Sequence, residues 1–204
     1  MFEMPMKVCA CSGRTRPKSG ELRTATSVLV KIVAFVYDTQ LTIEQVLSAL
    51  EEQPKTIAGL TNRLRPGQLR HAPANGEWSL NDVLAHLRAC ADMWGKYMAL
   101  IAQEDHPTFR AVNPRTWIDS TNYPDLEFAA SFRAYLAQRT QLVKFLRSLA
   151  KAQWSRSATV TGGGSPRERT VLEYARWLAN HERSHLRQIV RLSEAVREVS
   201  HIQS

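Results

Sequence analysis

The stretch Trp78-Ser79-Leu80-Asn81-Asp82-Val83-Leu84-Ala85-His86-Leu87 decides the fold. Ser79 has the hydroxyl an N-cap needs, and Asp82 sits at the third helical position, where an acid faces orphan backbone N–H groups. Leu80, Val83, Leu84 and Leu87 then recur at three- and four-residue steps, and Trp94, Met98 and Ile101 extend the stripe. This is an amphipathic helix with one apolar face, and it needs partner helices to cover that face.

Such partners lie on both sides. Thr42-Ile43-Glu44-Gln45 spells a capping box, followed by Val46, Leu47, Leu50, Ile57, Leu60 and Leu64. Pro54 falls inside that stripe and is expected to kink or restart the helix. Residues 65–77 read as a Pro/Gly loop, and residues 103–123, with Pro107 and Pro114, as a long connector. Pro124 sits near the start of a third helix, whose stripe is Phe128, Phe132, Leu136, Val143, Leu146 and Leu149. Gly162-Gly163-Gly164 is a strong break. Ser165-Pro166-Arg167-Glu168 after it has the cap, first-turn proline and capping-box acid of a fourth helix running to residue 197. Its inward residues are Val171, Leu172, Ala175, Leu178, Leu186 and Ile189.

No strand pattern is evident after residue 40, so the expected fold is all-α, a four-helix bundle. A helix of about 20 residues is about 30 Å long, and about ten extended residues span that distance. The 103–123 connector is therefore long enough to let helices two and three run parallel, joined by a crossover.

The chain has 204 residues, 44% hydrophobic and 23% charged, which is globular composition for one domain. No apolar run is long enough to span a membrane. Three cysteines, Cys9, Cys11 and Cys90, cannot build a disulfide framework, so a reducing, cytoplasmic compartment is expected. The net charge is +8. Half of it lies in residues 1–31, where Lys7, Arg14, Arg16, Lys18, Arg23 and Lys31 face only Glu3 and Glu21. That balance allows weak attraction to anionic polymers or lipid, but no recognition motif accompanies it, so a specific nucleic-acid partner is not expected. Residues 1–40 read as a basic, disordered or loosely packed extension, 41–197 as the bundle and 198–204 as a tail. Within the extension, residues 27–37 faintly imitate a signal peptide without its cleavage site, and Cys9-x-Cys11 lacks partner ligands for a metal.

Six histidines remain to be placed. His71 and His106 fall in loops and His201 in the tail, where solvation is expected. His181 and His185 are four apart on one helix face with Leu178 and Ile189, the spacing at which two imidazoles reach one divalent ion. His86 lies at the edge of the second helix's stripe, near Val83 and Cys90. Two readings stay open from the residues alone: the three imidazoles share a metal, or each bonds a core hydroxyl or carbonyl. His181-Glu182-Arg183-Ser184-His185 also spells H-E-x-x-H, the zinc-peptidase pattern with Glu as general base. The third downstream ligand of such peptidases is missing, since Arg191 stands where a histidine would be needed, so a peptidase is the remote alternative.

The stretch Gly76-Glu77-Trp78-Ser79 through His86-Leu87, together with Leu178-Ala179-Asn180-His181-Glu182-Arg183-Ser184-His185-Leu186-Arg187-Gln188-Ile189, resembles the DinB-like (YfiT-like) metal-binding bundle superfamily. The resemblance covers residues 41–192, with the long crossover, Arg139 and Trp154. It implies an up-down-down-up bundle, a homodimer, and one divalent metal held by His86, His181 and His185. Glu182 stands where many relatives have Asp. Three neutral ligands leave coordination positions open, a catalytic rather than structural pattern. Zinc suits them best, with nickel, iron or copper as alternatives.

The resemblance further implies a low-molecular-weight thiol (bacillithiol, mycothiol or glutathione) used in S-transfer to small electrophiles, or in isomerisation. A non-catalytic metal-binding stress or interaction module is the alternative. Around the ligands, Glu182 is read as a base, an imidazole support or a solvated charge, and Asn180 and Gln188 as groups that orient imidazoles. Arg139 is read as a clamp on a cofactor carboxylate or a surface salt bridge. Cys90 is read as a small buried hydrophobe before a fourth ligand or reactive thiol, and Trp78 as loop packing before pocket wall.

Overall fold

The computed structural model describes residues 41–202. Four long helices carry the fold: α1 (Ile43–Thr61), α3 (Leu80–Gln103), α5 (Phe128–Ser148) and α6 (Val171–Ile202). Short helices α2 (Pro66–Arg70) and α4 (Pro114–Ile118) lie in the first loop and the crossover. Two of the three sequence-read helix caps hold. Gln45 N–H donates to Thr42 Oγ1 while Thr42 N–H donates to Gln45 Oε1. Ser79 and Asp82 form the same reciprocal pair.

Contacts near the helix ends give the order. Asn81 Nδ2 donates to Pro124 O at 3.1 Å, near the starts of α3 and α5. Arg156 Nε, soon after α5, donates to Ile101 O at 3.1 Å near the end of α3. Those two helices therefore run parallel. Arg176 Nε reaches Leu41 O and Arg197 Nη2 reaches Leu60 O, each at 2.7 Å, so α1 and α6 are also parallel. His86 early in α3 meets His185 late along α6, while Trp94 meets Trp177, so the two pairs are antiparallel. The bundle is up-down-down-up, as the crossover length implies.

Three features differ from the sequence reading. First, α1 continues through Pro54 from Ile43 to Thr61, so of the expected kink or restart it is the restart that does not occur. Pro54 is buried, and the neighbouring Gln53 donates from Nε2 to Ala179 O at 2.8 Å, so packing against α6 outweighs the lost backbone bond.

Second, a small sheet exists where none was expected. It orders β1 (Thr108–Arg110), β2 (Ser157–Thr161) and β3 (Arg167–Thr170), with β1–β2 parallel and β2–β3 antiparallel. The glycine break is a hairpin turn, and the strands are too short to show a period. Third, Ser165-Pro166-Arg167-Glu168 does not cap the last helix, because Arg167 and Glu168 pair with Val160 and Thr159. The working box lies at Thr170 and Glu173, where Thr170 N–H donates to Glu173 Oε2 (2.7 Å) and Glu173 N–H to Thr170 Oγ1 (3.1 Å). His106 is also not simply solvated. Its ring nitrogens lie 3.2 Å from Ser157 Oγ and 3.1 Å from Thr159 Oγ1, tying the crossover to the hairpin.

Gly162 adopts φ +93°, and a Cβ there would sit 2.7 Å from Arg110 Cγ. Gly162→Ala is expected to destabilise the protein by about 1–3 kcal/mol through backbone strain, whereas Gly163→Ala, with nothing within 4 Å, should melt with wild type. Thermal unfolding of the two variants checks this. Equal midpoints would show that the hairpin tolerates a side chain at Gly162.

The core divides in two along the bundle. One part packs Leu50, Met98, Ile101, Leu146, Trp154, Val171 and Leu178. The other packs Ile57, Leu84, Leu87, Phe128, Tyr135, Leu186 and Ile189. Between them each long helix contributes polar side chains: Gln53 from α1, His86 and Cys90 from α3, Arg139 from α5, and His181, Glu182 and His185 from α6.

Candidate metal centre

The polar layer gathers the three histidines. His86 Nε2 lies 3.1 Å from His181 Nε2, and His185 Nε2 lies 3.2 Å from the same atom. Each α6 histidine projects one turn from the other, and the antiparallel α3 brings His86 across to both. Hydrogen bonds cannot satisfy this arrangement. An imidazole nitrogen carries either one proton or one in-plane lone pair, so His181 Nε2 makes at most one good bond to its two neighbours. A zinc-like ion 2.0–2.1 Å from each nitrogen in tetrahedral geometry would set the nitrogens ~3.3 Å apart, and octahedral geometry ~3.0 Å. The two spacings to His181 Nε2 fall between these values. Donor atoms of His86, Cys90 and His181 all lie within 4.8 Å of one another, and His185 adjoins that group through His181.

Electrostatics favour the ligand form of the two α6 histidines, whereas burial and the nearby Glu182 push the Cys90 thiol up. Burial pushes the His181 imidazole well below its ordinary range, to about 2, and the neighbouring His185 and His86 add to the shift. Burial also lowers His185, against a smaller opposing effect of Gln188. Both rings are therefore neutral near pH 7 and present lone pairs. Gln188 Oε1 lies 2.9 Å from His185 Nδ1, fixing the tautomer that frees Nε2. Asn180 is half-buried on α6, one residue before His181.

Glu182 and Arg139 take places that their sequence readings missed. Glu182 is 0% exposed and pairs with Arg139, itself buried, while Tyr135 Oη donates to Glu182 Oε2 at 3.1 Å. Burial pushes the Glu182 carboxyl up, and Arg139 and Tyr135 pull it back. Glu182 is thus neither a solvated charge nor a base open to a bound water, which removes the peptidase reading of H-E-x-x-H. Arg139 is not a surface salt bridge: its guanidinium is buried and commits Nη2 to Glu182. Tyr135 escaped the sequence reading, although its position one turn before Arg139 on α5 was a usable signal.

Aromatic rings wall the cluster. Trp78 stacks near His185 (centroids 6.1 Å, planes at 13°) and lies 4.9 Å from the His86 ring, so it lines the site as well as packing the loop. Trp94 meets His181 edge-on at 5.0 Å and stacks with Trp177. Trp177, 46% exposed, was not singled out from sequence, although an exposed tryptophan one turn before His181 is a signal. Cys90 Sγ lies 3.5 Å from His86 Nε2 and 4.0 Å from His181 Nε2. It is fully buried among the core residues, as a small hydrophobe would be, and it also borders the histidine cluster. His71 is exposed at the end of α2, away from these contacts. Residues 1–40, with Cys9, Cys11 and the signal-like run 27–37, and the side chain of His201 lie outside the described residues.

The fold is thus an up-down-down-up helical bundle in which histidines from two helices meet in a mid-bundle polar layer. Residues 49–189 match the family model of the DinB superfamily, and the chain belongs to that superfamily. Among solved structures, YfiT from Bacillus subtilis superposes with a TM-score of 0.66 at 17% sequence identity, covering 79% of this chain and 93% of YfiT. YfiT was described as "a probable metal-dependent hydrolase with an unusual four-helix bundle topology". No curated protein matches the sequence significantly. Among the described residues, no helix is long and apolar enough to cross a membrane.

Proposed function

We propose that this protein is a divalent-metal-dependent enzyme acting on small molecules, with His86, His181 and His185 as ligands through Nε2. Its reaction in this reading is transfer of a low-molecular-weight thiol to an electrophile. The observation that supports the proposal is the approach of His86 Nε2 and His185 Nε2 to His181 Nε2, at 3.1 and 3.2 Å, which hydrogen bonding alone does not satisfy. When bound, the ion supplies positive charge that favours the deprotonated form of a nucleophile beside it.

The chain's own residues do the rest. Gln188 holds the His185 ring in register. The buried Arg139–Glu182–Tyr135 group anchors α6 to α5 beside the ligand pair. Trp78, Trp94 and the exposed Trp177 limit water at the cluster and offer flat apolar surface to an electrophile. Glu182 is committed to Arg139 and cannot take a proton from water. A thiol needs less help than water in losing its proton. This favours a thiol as nucleophile. The reading includes a homodimer in the cytoplasm, where such thiols stay reduced, and zinc as the metal.

Hydrolysis is the second reading, favoured by the description of YfiT. Metal-loaded wild type and His185→Ala, each given bacillithiol, mycothiol or glutathione with a generic electrophile, separate the two. In parallel, ester and amide substrates are supplied without thiol. Thiol conjugation by wild type and not by the variant supports S-transfer. Turnover of the ester or amide alone moves the assignment to hydrolysis. Equal product from both proteins in every arm leaves a non-catalytic metal-binding module.

A further inference from the structure

The two pairs that form the cluster share one geometry. His181 and His185 are four apart on α6, and His86 and Cys90 are four apart on α3. Each pair projects two donor atoms from adjacent turns of one helix, and the helices face each other. The fourth of these atoms is Cys90 Sγ. A tetrahedral ion with a thiolate at ~2.3 Å and imidazoles at 2.0–2.1 Å would place sulfur ~3.6 Å from each nitrogen. The observed separations from His86 Nε2 and His181 Nε2 are 3.5 and 4.0 Å.

We infer that Cys90 is a ligand in the resting protein: its sulfur completes with His86 and His181 a group of donor atoms within 4.8 Å of one another, and with His185 beside His181 the set becomes three imidazoles and one thiolate. This rests on the three-histidine reading and adds to it. On metal binding the Cys90 S–H bond breaks, its electron pair goes to the cation, and its proton passes to the solvent buffer. No oxidant or reductant takes part. An incoming thiol then exchanges one thiolate for another at the same position, and Cys90 takes up a proton as it leaves. The donor set also selects for borderline and soft ions such as zinc over hard ions such as magnesium or manganese.

The test is cobalt(II) titration of the full chain after removal of metal, using wild type, Cys90→Ser and Cys90→Ala. Wild type is expected to show visible ligand-field bands together with a near-ultraviolet sulfur-to-cobalt charge-transfer band. Both variants should keep the visible bands and lose the charge-transfer band. Wild type should also release about one more proton per cobalt than Cys90→Ser, because the thiol must deprotonate to bind. The visible bands report that a variant still folds around the ion.

Visible bands without a charge-transfer band in wild type would overturn the role of Cys90 and leave the histidine site standing. A charge-transfer band that survives in both variants would also overturn it, placing the sulfur at Cys9 or Cys11. Absence of every band would remove the metal site itself, and with it this inference.

Discussion

His181→Ala is expected to abolish metal loading. Elemental analysis should fall from about one ion per chain in wild type to background in the variant. His181 is the ligand whose loss costs most, because its Nε2 is the atom from which both other imidazole nitrogens lie within 3.2 Å. It is also held in place by the edge of Trp94. Truncation breaks the α6 pair and removes the nitrogen that His86, Cys90 and His185 all approach, leaving those three donors without a common centre. The exposed His71→Ala serves as control and should load like wild type. Chelation should lower the midpoint of wild type and leave His181→Ala unchanged. A ligand present at a hundred times its Kd stabilises by about 2.7 kcal/mol. Stoichiometric metal in His181→Ala would refute the assignment of these ligands.

The second large effect falls beside the ligands. Arg139→Met should destabilise the protein by about 3–5 kcal/mol, because it leaves Glu182 buried without its counter-ion and only Tyr135 donating to it. At about 2–4 °C per kcal/mol for a chain of this size, the midpoint should drop by roughly 10 °C. Removing both charges in Arg139→Met/Glu182→Leu should recover much of that loss, since an apolar pair of similar volume replaces the ions. A purely superficial salt bridge would give about 1 kcal/mol or less. A shift that small in Arg139→Met would contradict the burial of this pair.

Much of the bundle was legible because helices announce themselves locally. The stripe from Leu80 to Ile101 and the reciprocal caps at Thr42/Gln45 and Ser79/Asp82 involve residues three or four apart, so the chain signals them without knowledge of the fold. The same grammar misled at Ser165. A cap motif states only that a helix can start there, and pairing of Arg167 with Val160 decided otherwise. At Pro54 the restart that the sequence also allowed does not occur, because the burial that keeps α1 continuous depends on α6.

The candidate ligands were legible from their spacing and from the family resemblance, but their surroundings were not. Gln188 is local, three residues from His185, and was read from sequence. Tyr135 and Arg139 act across helices, and their neighbours in sequence do not reveal that both face Glu182, whereas Cys90 meets His86 one turn away on its own helix and only His181 across the bundle. Helical periodicity and capping, which depend on the backbone's own hydrogen bonds and on side chains a turn apart, settled that this chain makes four amphipathic helices with three histidines on inner or edge positions. Packing alone decided that Glu182 is buried against Arg139 and that Cys90 sulfur sits beside two imidazoles. Burial and ion pairing arise between segments far apart in the chain, and their energies exist only once those segments meet.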